Sequence, residues 1–73
     1  MNSLNEQFSA VLRQLREERG WSQEQLAQQA GLNRTYLGEV ERGNAIPTLT
    51  TVSKLARAFD MRLSSMIARC EHV

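Results

Sequence analysis

The chain is poor in the residues that build covalent frameworks and metal sites. Among 73 residues it has one cysteine, Cys70, and one histidine, His72. A lone cysteine cannot form an internal disulfide. One Cys and one His cannot complete a four-ligand zinc site. This usage fits a reducing compartment, the cytoplasm, and it points to no metal or other cofactor. With no clustered carboxylates either, a small enzyme is a poor reading. No basic segment followed by an apolar run opens the sequence, so no signal peptide is expected. No apolar run approaches the ~18 residues of a membrane span. Net charge is only +1, too weak to argue for nucleic acid alone, so any basic surface must be local. Strand alternation, internal repeats and low-complexity segments are absent as well.

What is present is helical periodicity. A chain this short is one domain and buries only ~60% of its unfolded surface, so it needs regular helix packing or a partner. Leu4, Phe8, Val11, Leu12 and Leu15 fall on one face of a helix over about 4–18, ended by Gly20. Arg13, Glu17 and Glu18 fill the solvent side. A second helix starts at Ser22, with Gln25 completing a capping box and Trp21 and Leu26 at the staple positions. Leu26, Ala27 and Ala30 form its buried face and Gly31 ends it. Asn33 caps a third helix. Its core residues are Leu37 and Val40, and it stops at Arg42 before Gly43.

The segment "NAIPTL" is a loop in which Pro47 forces Ile46 into extended backbone. Thr48 caps a fourth helix carrying Val52, Leu55, Ala56 and Phe59. Leu63, Met66, Ile67 and Cys70 repeat the i, i+3, i+4, i+7 spacing in a short fifth helix, about 63–70, with "ARCEHV" as a frayed end. The expectation is an all-α, five-helix domain spanning 1–73.

The second and third helices are about three residues apart. A left-handed residue at Gly31 sets such a pair at ~90–120°, the helix-turn-helix geometry, here about 22–42. In that motif the second helix enters the DNA major groove. With Leu37 and Val40 inward, Thr35, Gly38, Glu39 and Arg42 point outward, flanked by Arg34 and Tyr36. Arg34 has the fork that matches guanine, Thr35 offers a hydroxyl and a methyl, and Glu39 can accept from cytosine. Gly38 costs ~1 kcal/mol in a helix relative to Ala, and close approach to DNA would explain it.

The run "SQEQLAQQAGLNRTYLGEVERGNAIPTLTTVSKLARAF" resembles the lambda-repressor-like, XRE/Cro-type helix-turn-helix family. Its wording is most similar to the restriction-modification controller proteins. The resemblance covers about Phe8 to Ile67. It implies base contacts from Arg34, Thr35 and Glu39. It implies DNA-backbone contacts from Gln23, Asn33, Tyr36, Arg42 and Asn44. It pairs Glu41 with Arg16, partly buried, as a structural ion pair. Arg62 departs from the pattern, since relatives often place a capping Ser there.

The reading is a transcriptional regulator, a repressor or controller, that binds a pseudo-palindromic operator in double-stranded DNA as a homodimer. No small-molecule ligand is evident. A small core cannot bury every apolar residue of the fifth helix. Leu63 and Ile67 are expected inward, leaving Met61, Met66 and Cys70 for the dimer interface. The rival reading is an antitoxin-like protein-interaction module with autoregulatory DNA binding.

Overall fold

The computed structural model describes residues 3–71. In order along the chain lie α1 (Leu4–Glu18), α2 (Gln23–Ala30), α3 (Arg34–Glu41), α4 (Leu49–Ala58) and α5 (Leu63–Glu71). The described residues contain no strand. The fold class expected from periodicity is the one observed.

The starts of the first four helices share one local cause. Ser3, Ser22, Asn33 and Thr48 sit in extended backbone, and each accepts a hydrogen bond from the amide three residues on. One otherwise orphaned donor is satisfied at each start. Arg62 occupies the corresponding place before α5, where its carbonyl accepts from the Met66 amide at 3.1 Å. A guanidinium only donates, so its side chain cannot cap.

The same four helices also end alike. The Trp21, Leu32, Asn44 and Met61 amides reach back to the Arg16, Ala27, Glu39 and Ala56 carbonyls. The residue just before each of these donors is left-handed: Gly20, Gly31, Gly43 and, without glycine's freedom, Asp60 at φ 57°. This is the Schellman ending.

Packing then follows the buried stripes. α1 lies on α3 and α5, α2 on α3 and α4, and α4 on α5. Leu12, Leu26, Leu37, Leu55, Phe59 and Met66 are fully enclosed. Ala27 is buried in α2, where its small side chain suits the close pass of α3. The Cα radius of gyration, 10.9 Å, matches the roughly 11 Å of a folded chain this long. Trp21 stacks on Phe59 with centroids 5.6 Å apart. Arg19 lies 5.6 Å from both rings and donates to the Phe59 carbonyl at 2.6 Å. Together these contacts fasten the α1–α2 junction to the end of α4.

The expectation for α5 is reversed. Met66 and Cys70 are completely buried, whereas Leu63 is exposed and Ile67 half-buried. Four apolar residues at this spacing span an arc of roughly 100°, and α1 and α4 close on the Met66–Cys70 edge of it. Met66 is closed off from any partner, while Cys70, though without exposed surface, lies at the floor of an apolar groove that Leu4, Leu49 and Ile67 also line. Burial also pushes the Cys70 thiol above its ordinary value, and its Sγ donates to the Met66 carbonyl. It is a small core hydrophobe. The "frayed" tail is likewise helical through Glu71; His72 lies outside the described residues.

Candidate nucleic-acid interface

The α2–α3 turn is held at both ends. Ser22 Oγ accepts from the Gln25 amide at 3.1 Å, and Gln25 Oε1 accepts from the Ser22 amide at 2.8 Å. Gly31, at φ 69°, reverses the chain, and Asn33 Oδ1 accepts from the Tyr36 amide at 3.1 Å. Only Gly31, Leu32 and Asn33 separate the two helices. With Leu37 and Val40 sealed in the core, α3 has one way to face.

That face presents Asn33, Arg34 and Thr35 exposed at its N-terminal end. Further along it carries Glu39 and Arg42, with side chains 40% and 56% exposed. Arg42 Nη2 donates to Glu39 Oε1 at 2.7 Å. Asn44 lies exposed just beyond the helix. The Arg42 bond first, and the polar side chain of Asn44 second, hold the Glu39 carboxyl below its ordinary value.

Two residues of the expected outward set behave differently. Gly38 is buried, not outward. A Cβ there would meet Arg42 Nη1 at 3.4 Å and Gln23 Oε1 at 3.5 Å. These two side chains close over its bare backbone, and DNA approach is not what Gly38 accommodates in the free protein. Tyr36 is half-buried, and its hydroxyl lies 3.3 Å from Thr51 Oγ1, tying α3 to α4.

Beneath the face lies a buried polar network. Glu41 is 1% exposed. Its carboxylate accepts from Arg16 Nε at 2.8 Å, Arg16 Nη2 at 3.1 Å and Gln23 Nε2 at 3.2 Å. Arg16 Nη1 donates to the Trp21 carbonyl at 2.9 Å. A buried carboxylate demands such satisfaction. Arg13 is exposed on the solvent side, as expected, and it also donates to the Glu41 carbonyl at the end of α3. Its spacing from Arg16, one helical turn on α1, is the sequence signal for that role. Gln23 thus joins the first turn of α2 to the network, while its second amide hydrogen remains for another acceptor.

The network and the caps make the outward face of α3 a fixed platform. One of its donors, Arg42, lies close to Gln23 in the first turn of α2, where unpaired amides favour anions. Among the described residues no His/Cys/Asp/Glu group could hold a metal ion, and no helix is long and apolar enough to cross a membrane.

Comparison with known proteins agrees with this geometry. The chain is 37% identical over 68 residues to the HTH-type transcriptional regulator SutR of Escherichia coli K12, covering 93% of this chain. It spans only 38% of SutR's length. It is 38% identical to the control protein C.SmaI of Serratia marcescens, over 90% of this chain and 79% of that one. The crystal structure of the restriction-modification controller protein C.AhdI from Aeromonas hydrophila superposes with a TM-score of 0.80 at 42% identity. That match covers 85% of this chain and 94% of the controller. A helix-turn-helix family, HTH_3, matches residues 12–65, and the chain belongs to this family of DNA-binding transcription regulators.

Proposed function

We propose that this helix-turn-helix regulator recognises a pseudo-palindromic operator as a homodimer, in the cytoplasm, with Arg34 and Thr35 reading base edges. The observation that carries the reading is the exposed Asn33–Arg34–Thr35 start of α3 on a doubly capped turn. In the helix-turn-helix motif the first residues of the second helix are the ones that reach base edges. Gln23, Asn33, Arg42 and Asn44 border that face and suit phosphates, which position without specifying. The Tyr36 hydroxyl can donate to a phosphate while accepting from Thr51 Oγ1.

The second copy is needed because one recognition helix reads few base pairs against ~10⁶ or more competing sites. An open apolar groove of about 290 Å³ fits it. Leu4, Ile46, Leu49 and Ile67 are among its walls, and no charged residue lines it. Ile46 is 81% and Leu49 75% exposed. Depletion of charge at the centre of an exposed apolar face is the mark of an interface core. A two-fold axis there sets the same patch against itself. Met61 does not line the groove and packs against the core instead.

The test is selection of duplexes from a randomised pool, with the stoichiometry of the bound species. A two-fold symmetric site bound by two chains is expected. Selection of no sequence above the starting pool would overturn operator recognition. A single chain on an asymmetric site would overturn the dimer and leave the apolar face to a different protein.

A further inference from the structure

We infer that Glu39 is a positioning residue: it fixes the Arg42 guanidinium over Gly38, beside Gln23, so that Arg42 and Gln23 present one clamp to a DNA phosphodiester. The inference rests on the DNA-binding reading and changes the role of one residue within it.

Three observations carry it. A helical side chain leans towards the N-terminus, so Arg42 is directed back over position 38, one turn earlier. Position 38 has no Cβ, and Arg42 Nη1 and Nη2 lie only 3.4 and 3.8 Å from where one would be. The guanidinium therefore lies flat along the helix instead of extending past its end. Next, Gln23 Oε1 lies 3.5 Å from the same point, while Gln23 Nε2 is held by Glu41. The two side chains that the chain separates by nearly twenty positions meet over one spot, against the first turn of α2. Last, the Glu39 carboxylate accepts from Arg42 Nη2 through Oε1 at 2.7 Å.

The carboxylate keeps acceptor capacity on Oε2. Its bond through Oε1 removes the freedom of a long side chain. Arg42 keeps further N–H donors beyond the one given to Glu39, and a guanidinium presents them in a fixed fork. Beside them stands the free hydrogen of the Gln23 amide, at a helix N-terminus that favours anions.

The experiment uses the full chain and the duplex that the unmodified protein selects from a randomised pool, with a random duplex as reference. Glu39→Ala, Glu39→Gln, Arg42→Ala and the Glu39→Ala/Arg42→Ala pair are compared, with circular dichroism confirming the fold. The cycle subtracts the repulsion that any acid on this face exerts on phosphates. Glu39→Ala is expected to select the same bases as the unmodified protein. Its affinity effect should differ by about threefold or more with and without Arg42, the size expected for directly coupled neighbours. Glu39→Gln, which keeps an acceptor for Arg42, should restore most of that coupling. A base preference altered at one position whether or not Arg42 is present would overturn the inference and make Glu39 a reader. Strictly additive effects would overturn it too. If the unmodified chain selects no duplex, the DNA reading itself has failed, an outcome visible before any variant is made.

Discussion

Arg16 on α1 and Glu41 at the end of α3 form the ion pair at the centre of this molecule, with Nε 2.8 Å from Oε2. Glu41 is 1% and Arg16 17% exposed. Removing Glu41 strands the guanidinium and also leaves Gln23 Nε2 without its acceptor. Breaking a buried pair costs ~3–5 kcal/mol, and the residual exposure of Arg16 places this one near the lower end. Glu41→Ala is expected to lower the thermal midpoint by more than ten degrees, since each kcal/mol is worth about 4–8 °C in a domain this size. Arg16→Ala should be similarly costly, and the double variant less costly than the sum. Additive losses in thermal unfolding would show that the pair does not act as a unit.

Arg34 and Gln23 should fail in different ways. Arg34→Ala is expected to cost ~1–3 kcal/mol on the selected site and to relax preference at one base pair. Gln23→Ala should weaken binding to selected and random duplexes alike. Gel shifts on both duplexes measure the difference. Equal loss on both duplexes for Arg34→Ala would remove it from the base-reading set.

Gly38→Ala should separate stability from function. Alanine gains ~1 kcal/mol over glycine inside a helix. The new methyl meets only the ends of two flexible side chains, Arg42 and Gln23. The variant is therefore expected to melt higher and bind DNA less well, because both displaced groups belong to the phosphate clamp. Unchanged binding with a raised midpoint would show that those positions do not matter to DNA.

Asp60 holds a left-handed backbone, φ 57°, where the other three Schellman endings have glycine. A non-glycine residue there is strained, and an acid at a helix C-terminus opposes the macrodipole. Asp60→Gly is expected to raise stability by up to about 1 kcal/mol, partly offset by the looser unfolded chain. DNA binding should be unchanged, since the turn lies outside the α3 face. Thermal unfolding with and without operator checks both halves.

Two glutamate substitutions distinguish surface from core. Leu49→Glu, at a position 75% exposed, should leave a folded chain that no longer dimerises and binds operator weakly. Met66→Glu, at a fully buried position, should unfold the chain, because an unpaired charge in the core is far costlier than one in water. Light scattering and circular dichroism on the pair decide. A dimeric Leu49→Glu would move the interface off the apolar groove.

The sequence by itself determined whatever depends on neighbours a few positions apart. Ser22, Asn33 and Thr48 cap because their side chains reach the amide three residues on, and Gly31 ends α2 because it alone there tolerates the left-handed turn. Such local chemistry carries the helix bounds, the three-residue turn and the exposure of Arg34 and Thr35 with little help from the rest of the molecule. The tertiary structure decided what periodicity leaves degenerate. A stripe of Leu63, Met66, Ile67 and Cys70 has two edges, and only the approach of α1 and α4 buries Met66 and Cys70 and leaves Leu63 exposed and Ile67 half-buried. Arg13 is exposed as expected, but only the approach of α3 gives it the Glu41 carbonyl to bond. Gly38 looked outward until Arg42 folded back and Gln23 arrived from another helix to cover it. Each of these is a meeting of residues far apart in the chain, and spacing along one helix carries no information about which neighbour will fill the space beside it.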